Sequence, residues 1–314
     1  MKLKILFALS SLIFPSSWAF ANSSLTAVYA RTLMGTQAAL HSSGYLGSHS
    51  SSCKKSIAQA SADGQLRILV AFGYMDVSAD PDYYDSADSL VRLGDVLDGS
   101  ARQALISALT AKCLSRRSKA CEFKNRGGVL TKRIQDRFTN KTVQVSIELV
   151  SSSVSSSDQA NKSTYSAKQT KQSSHARGRF LSAVQTHDAV LYLGHARSGG
   201  GPDFSPPRLL SASRVDYGHY KSTQEGIRSL VGALGGGRPA ILGVLACRST
   251  PLFGSRLAGA MGGGTLLTAD ELFDYNDMLP TALATIEATV GQSCGNEFAT
   301  ISGWPAGRGM LTVR

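Results

Sequence analysis

Two stretches decide the fold: Asp188-Ala189-Val190-Leu191-Tyr192-Leu193-Gly194-His195-Ala196-Arg197 and Ala240-Ile241-Leu242-Gly243-Val244-Leu245-Ala246-Cys247-Arg248-Ser249. Each is an apolar run of strand length that stops at one reactive side chain, His195 or Cys247. Short apolar runs bounded by Gly or Pro suit strands buried on both faces. As neighbours in a parallel sheet, they would present His195 and Cys247 at one edge.

The flanking chain repeats the pattern. Residues 66–72 read as a further buried strand, followed by an acidic, turn-rich loop over 76–88. A helical pattern around Leu90, Val91 and Leu97 breaks at Asp98-Gly99-Ser100 and resumes through Ala104 and Leu109, with Ser100 as N-cap. Val143, Val145, Ile147 and Leu149 alternate with polar residues, as in an edge or outer strand. Residues 151–157 read as a flexible Ser-rich connection, and 158–185 as one long exposed helix docked at its C-terminal end. Ser222-Thr223-Gln224-Glu225 has capping-box form before a helix through Leu234. Thr250 and Pro251 read as N-cap and first residue of a helix after Cys247. A short strand over 265–268 ends at Asp270-Glu271, and Pro280 opens a last helix. The expected class is α/β, a mostly parallel sheet with helices on both faces. In such sheets sites lie at the carboxyl ends of strands, where His195, Cys247 and Asp270 all fall.

Residues 1–21 have the form of an export signal: Lys2 and Lys4, an apolar core over 5–14, and a small-x-small Ala19-Phe20-Ala21. Residues 22–64, rich in Ser, Ala and Gly, read as a loosely structured lead-in with a short helix around 26–40. The main domain is then 65–314. No later apolar run is long enough to span a bilayer, so no transmembrane segment is expected in the mature chain, and the expected location is periplasmic or extracellular.

The net charge is +11, which favours anionic partners without bearing on the fold. It concentrates in a basic insertion at 112–141, from Lys112 to Lys141, with Glu122 and Asp136 as its only acids. Contact with an anionic surface is one reading and a solvated face the other. Few aromatics interleave there, so nucleic acid is not expected. Of five cysteines, Cys113 and Cys121 flank a short loop and are disulfide candidates. Cys53 and Cys294 are the next pair to consider, which would leave Cys247 over. No C-x-x-C or H-E-x-x-H motif occurs, so neither a metal nor a cofactor is expected.

A thiol before a helix N-terminus and an imidazole at the neighbouring strand end suit nucleophilic catalysis with proton transfer. The blocks Val190-Leu191-Tyr192-Leu193-Gly194-His195 and Ile241-Leu242-Gly243-Val244-Leu245-Ala246-Cys247 resemble the caspase-like cysteine peptidases, which include caspases, legumain, gingipains, clostripain and separase. The resemblance implies a His195/Cys247 dyad, a thioester intermediate, a peptide or protein substrate, and an oxyanion hole from the backbone of Ala196 and Cys247. It also exposes a departure: that group has Gly after the histidine, where this chain has Ala196, ill-suited to positive φ. Asp270, Glu271 and Arg197 are candidates for a substrate pocket. The second reading is an inactive relative that binds an anionic envelope component.

Overall fold

Apolar residues on both faces put strand β1 (Gln65–Phe72) at the centre of the molecule, with Ile68, Leu69, Val70, Ala71 and Phe72 all buried. The structure, a computed structural model, describes residues 19–42, 61–77, 91–92, 94–211, 214–237, 239–273, 275–293, 295–303, 305 and 310–314. Helix α1 (Ala19–Ser42) precedes β1, and α2 (Asp98–Thr110) follows it. A hairpin, β2 (Lys124–Arg126) and β3 (Val129–Gln135), leads into β4 (Thr142–Ser151). Helices α3 (Asp158–Lys162) and α4 (Ser166–Thr186) return the chain to β5 (Ala189–Leu193). A small ribbon, β6 (Leu209–Ser211) with β7 (Arg214–Val215), comes next. Then follow α5 (Tyr217–Thr223), α6 (Glu225–Leu234), β8 (Ile241–Leu245), α7 (Ser255–Met261), β9 (Thr265–Ala269), α8 (Tyr275–Val290), α9 (Asn296–Gly303) and β10 (Leu311–Val313).

The main sheet has eight strands among the described residues, in the order β10-β9-β8-β5-β1-β4-β3-β2. The five from β9 to β4 run parallel, and antiparallel β10 and β3-β2 flank them. Successive side chains of a strand point to opposite faces, so β1 divides its residues between two cores. Ile68, Val70 and Phe72 pack with α1, α2 and α8; Leu69 and Ala71 pack with α4, α6 and α7. Helices on both faces of a mostly parallel sheet are the expected class. No described helix is long and apolar enough to cross a membrane, and Cys113 and Cys121 form a disulfide. Residues 1–18, Cys53 and Cys294 lie outside the described residues, as does most of the acidic loop.

Several local expectations change. A 24-residue helix begins at Ala19, within the expected signal, and runs through the first part of the lead-in to Ser42; its Leu25, Tyr29 and Leu33 fill the core. Its Ala, Ser and Thr residues weaken the apolar periodicity that would reveal it. Helix α2 begins at Asp98 rather than Ser100, and the Asp98 carboxylate accepts the N–H groups of Ser152 and Ser153, tying down the Ser-rich connection. The long helix is broken at 163–165, and Gln169, Ser173 and Ala176 bury its length. Strand β4 lies between β1 and β3, two places in from the edge strand β2. Gln224, at φ 48°, ends α5 and starts α6 without the capping bond. Pro280 does not open α8 but sits inside it, the sixth residue from its start at Tyr275, where it removes one i→i−4 bond of the early helix.

Candidate active site

The sheet register brings three chain segments to one place. Phe72 of β1 pairs with Leu193 of β5, and Leu193 with Leu245 of β8. The chain leaves all three neighbouring strands at one level, and within four residues reaches Asp76, His195 and Cys247 respectively. All three line a single cavity of about 460 Å³, within the range of small-molecule sites.

Asp76 gives His195 its setting. The ring Nε2 lies 3.5 Å from Asp76 Oδ1 and 3.4 Å from its carbonyl oxygen. With Nε2 turned to Asp76, Nδ1 is left to exchange a proton. The Asp76 side chain is fully buried, and burial by itself disfavours its charge. The Arg197 guanidinium, with the imidazole beside it, overrides that penalty and holds the carboxyl well below the usual carboxylate range. Arg197 Nη2 donates to Asp76 Oδ1 at 2.8 Å and Nε donates to Asp203 Oδ2 at 2.9 Å. Its cation also lies 5.8 Å over the Tyr220 ring. Burial opposes the guanidinium's charge too, and the two carboxylates outweigh it.

Cys247 is half-buried and carries a thiol. Its Sγ donates to the Phe273 carbonyl at 3.3 Å and faces the Phe273 N–H at 3.4 Å, a donor placed to meet developing negative charge. The winding after Cys247 starts at Ser249, and Thr250 is not its N-cap. A π-helical turn over Thr250–Gly254, with Pro251 in its first turn, runs into α7. Thr250 Oγ1 instead donates to Thr268. Ser249 Oγ donates to Val244 O and accepts from Ala269 N, clamping β8 to β9 beneath the thiol. Arg248, at φ 52°, reverses the chain immediately after Cys247, the kind of sparsely populated backbone that a well-braced site can hold.

The glycine-rich loop after His195 is closely packed. Tyr192 Oη lies 3.0 and 3.1 Å from the carbonyls of His195 and Asp203, which share its one proton, and accepts the Asp203 N–H at 2.9 Å. A Cβ on Gly194 would lie 2.6 Å from that oxygen, and one on Gly201 2.6 Å from His195 O. These glycines make room. Ala196 sits at φ −79°, an ordinary helical value, so its side chain brings no strain; positive φ starts one residue later, at Arg197 and Ser198. The Ala196 N–H meets no acceptor among the described residues.

Of the residues singled out in sequence, His195, Ala196, Arg197 and Cys247 line the cavity. Arg197 does so as a buried cation held by Asp76 and Asp203, which leaves it a bracing part. Asp270 and Glu271 are not among its described lining residues. The Asp270 carboxylate accepts from Thr312 on β10, and Glu271 is exposed, its carbonyl taking the Arg248 N–H. Asp76 is the member sequence reasoning missed. Its one signal is its position, four residues past the end of a buried strand. The mouth carries exposed Arg248 and Lys221 beside Leu252, Leu272 and Tyr217, which are 40, 65 and 38% exposed. Comparison with protein-family models, curated proteins and solved structures returned no match to this chain.

Proposed function

We propose that this chain is an exported cysteine peptidase of caspase-like type, acting in the periplasm or outside the cell. One observation carries the reading: His195 and Cys247 leave adjacent parallel strands into one cavity, with His195 backed by the buried Asp76 carboxylate. An acid of that kind holds an imidazole in orientation and stabilises the imidazolium when it forms. The export-signal form of residues 1–21 and the disulfide are compatible with the location.

The chemistry follows from the positions. His195 Nδ1 takes the Cys247 proton, and the sulfur adds to the carbonyl carbon of a bound peptide. The backbone N–H groups of Ala196 and Cys247 receive the oxyanion. The tetrahedral centre collapses, the C–N bond breaks, and His195 returns its proton to the departing amine, leaving a thioester. Water, giving a proton to His195, then adds to the thioester. A carboxylic acid leaves and the thiol is restored. No oxidant or reductant is required. Arg248 and Lys221 at an otherwise apolar mouth favour an acidic substrate side chain next to apolar ones.

The test compares the parent with Cys247→Ala and His195→Ala, using iodoacetamide labelling and a fluorogenic peptide library. The parent should label at Cys247 with a pH-dependent rate and cleave acidic peptides best. Cys247→Ala should do neither, and His195→Ala should label at least tenfold more slowly. Equal cleavage by all three proteins would sink the proposal.

A further inference from the structure

We infer that a second site, at the opposite edge of the sheet, binds a polyanionic glycan whose sugars carry phosphate or sulfate. It is a concavity of about 1040 Å³ between the loop after α2, the far half of β3 and the C-terminal end of α8. Helix α8 separates it from the His195–Cys247 cavity: Tyr275 and Asn276, at its start, line the first site, and Val290, its last residue, lines the second. At 1.5 Å per residue, its 16 residues place the two about 24 Å apart.

Among the described residues, seven cations and three carboxylates line the concavity, an excess of four positive charges. Much of what is paired there serves the walls. Glu287 accepts the backbone N–H groups of Lys119 and Ala120, and Arg137 pairs with Glu297 at 3.3 Å. Lys132 Nζ donates to the carbonyls of Lys119 and Cys121, and the Cys113–Cys121 disulfide closes the loop that carries the charges. The remaining five, Lys112, Arg116, Arg117, Lys119 and Arg133, are exposed, and none has its charge on a carboxylate among the described residues. The C-termini of α2 and α8 point to this end, but two helix ends supply only about one negative charge in total. A positive surplus therefore remains for a ligand.

The shape and lining choose among anions. A bilayer is a flat partner, and proteins that dock on one insert aromatic or large apolar side chains. The apolar residues that line it, Leu40, Ile134, Val290 and Ile301, are all partly or fully covered, and exposed Leu114 on the same loop is not among the lining residues. Among the described residues no aromatic lines the walls to stack bases. A hydrophilic chain with repeated charges suits a concave, cationic wall.

The test is fluorescence anisotropy of the full chain with a fluorescein-labelled sulfated hexasaccharide. Binding should weaken roughly tenfold or more between 50 and 200 mM salt, because several ion pairs must form at once. Arg116→Ala/Arg117→Ala/Arg133→Ala should weaken it at least tenfold. Lys124→Ala/Arg126→Ala/Lys141→Ala removes the same charge from exposed positions outside the concavity and should change affinity less than twofold. On the unmutated protein, the saccharide should protect Lys112 and Lys119 from acetylation but not Lys124. Cys247→Ala should bind unchanged, so this result stands or falls apart from the peptidase proposal. Equal losses in the two triple variants would reduce the effect to net charge and overturn the inference. Capture by phosphatidylglycerol vesicles without saccharide binding would overturn it in favour of a membrane partner.

Discussion

Replacing Asp76 by Asn tests whether one carboxylate does two jobs. The change is nearly isosteric and removes a charge that faces Arg197 at 2.8 Å and His195 at 3.5 Å. Breaking a buried ion pair from one side costs about 3–5 kcal/mol. Asp203 stays on Arg197 Nε at 2.9 Å, so the lower end, about 3 kcal/mol, is expected here. At a urea slope of about 3 kcal/mol/M, that loss moves the midpoint down by about 1 M. A protein with about 5–15 kcal/mol of stability remains folded for kinetics. Loss of the anion behind His195 should slow acylation or thiol alkylation about 100-fold; the long 3.5 Å contact argues for less than the roughly 10⁴-fold of a tightly bonded triad acid. Adding Arg197→Met removes the stranded cation, so the double variant should recover about 2 kcal/mol over the sum of the singles, while the rate stays low. A destabilised variant that labels at the parental rate would leave Asp76 as Arg197's counter-ion alone. A variant with parental stability would contradict the buried network itself.

Two further outcomes follow from burial. Burial pushes the Asp98 carboxyl up to about 6, and its Oδ1 has no hydrogen-bond partner among the described residues. Its folded value lies above the ordinary 3.8, so this group favours folding below about pH 4, and that contribution disappears as pH rises through about 6. Asp98→Asn keeps an oxygen for Ser152 and Ser153, and between pH 4 and 8 it should gain about 2–3 kcal/mol relative to the parent. Urea titrations at the two pH values check this, and a constant difference between the proteins would refute it. Gly194→Ala places a Cβ against Tyr192 Oη and Gly73 Cα. It should cost about 1–3 kcal/mol by overpacking and slow Cys247 alkylation by shifting His195; calorimetry and labelling rates at parental values would remove the steric argument.

The strands around the site were legible because buried parallel strands are written as unbroken apolar runs, and a reactive residue after Leu193 or Leu245 stands out against them. The N-terminal helix was not: Ala, Ser, Thr and Gly occupy most of α1, and only its tertiary packing singles out Leu25, Tyr29 and Leu33. Asp76 was hidden among five aspartates between 76 and 88, alike in sequence, and only the fold shows that Asp76 is buried. Arg197 reads equally as a substrate anchor or a brace, and only its contact with Asp76, 121 residues away, decides. The concern about Ala196 dissolved for a local reason: the turn places its positive φ angles one residue further on.

The Asp76–His195 contact spans 119 residues, and β5 meets β8 across an intervening ribbon and two helices. Contacts this distant in sequence close slowly, because each requires a large loop to be ordered first. In time, then, the thiol of a newly made chain is present well before the imidazole and carboxylate are brought beside it. If the chain crosses a membrane unfolded, Cys247 travels as an ordinary cysteine, and whatever reactivity it has arises only after the central sheet has formed at the destination.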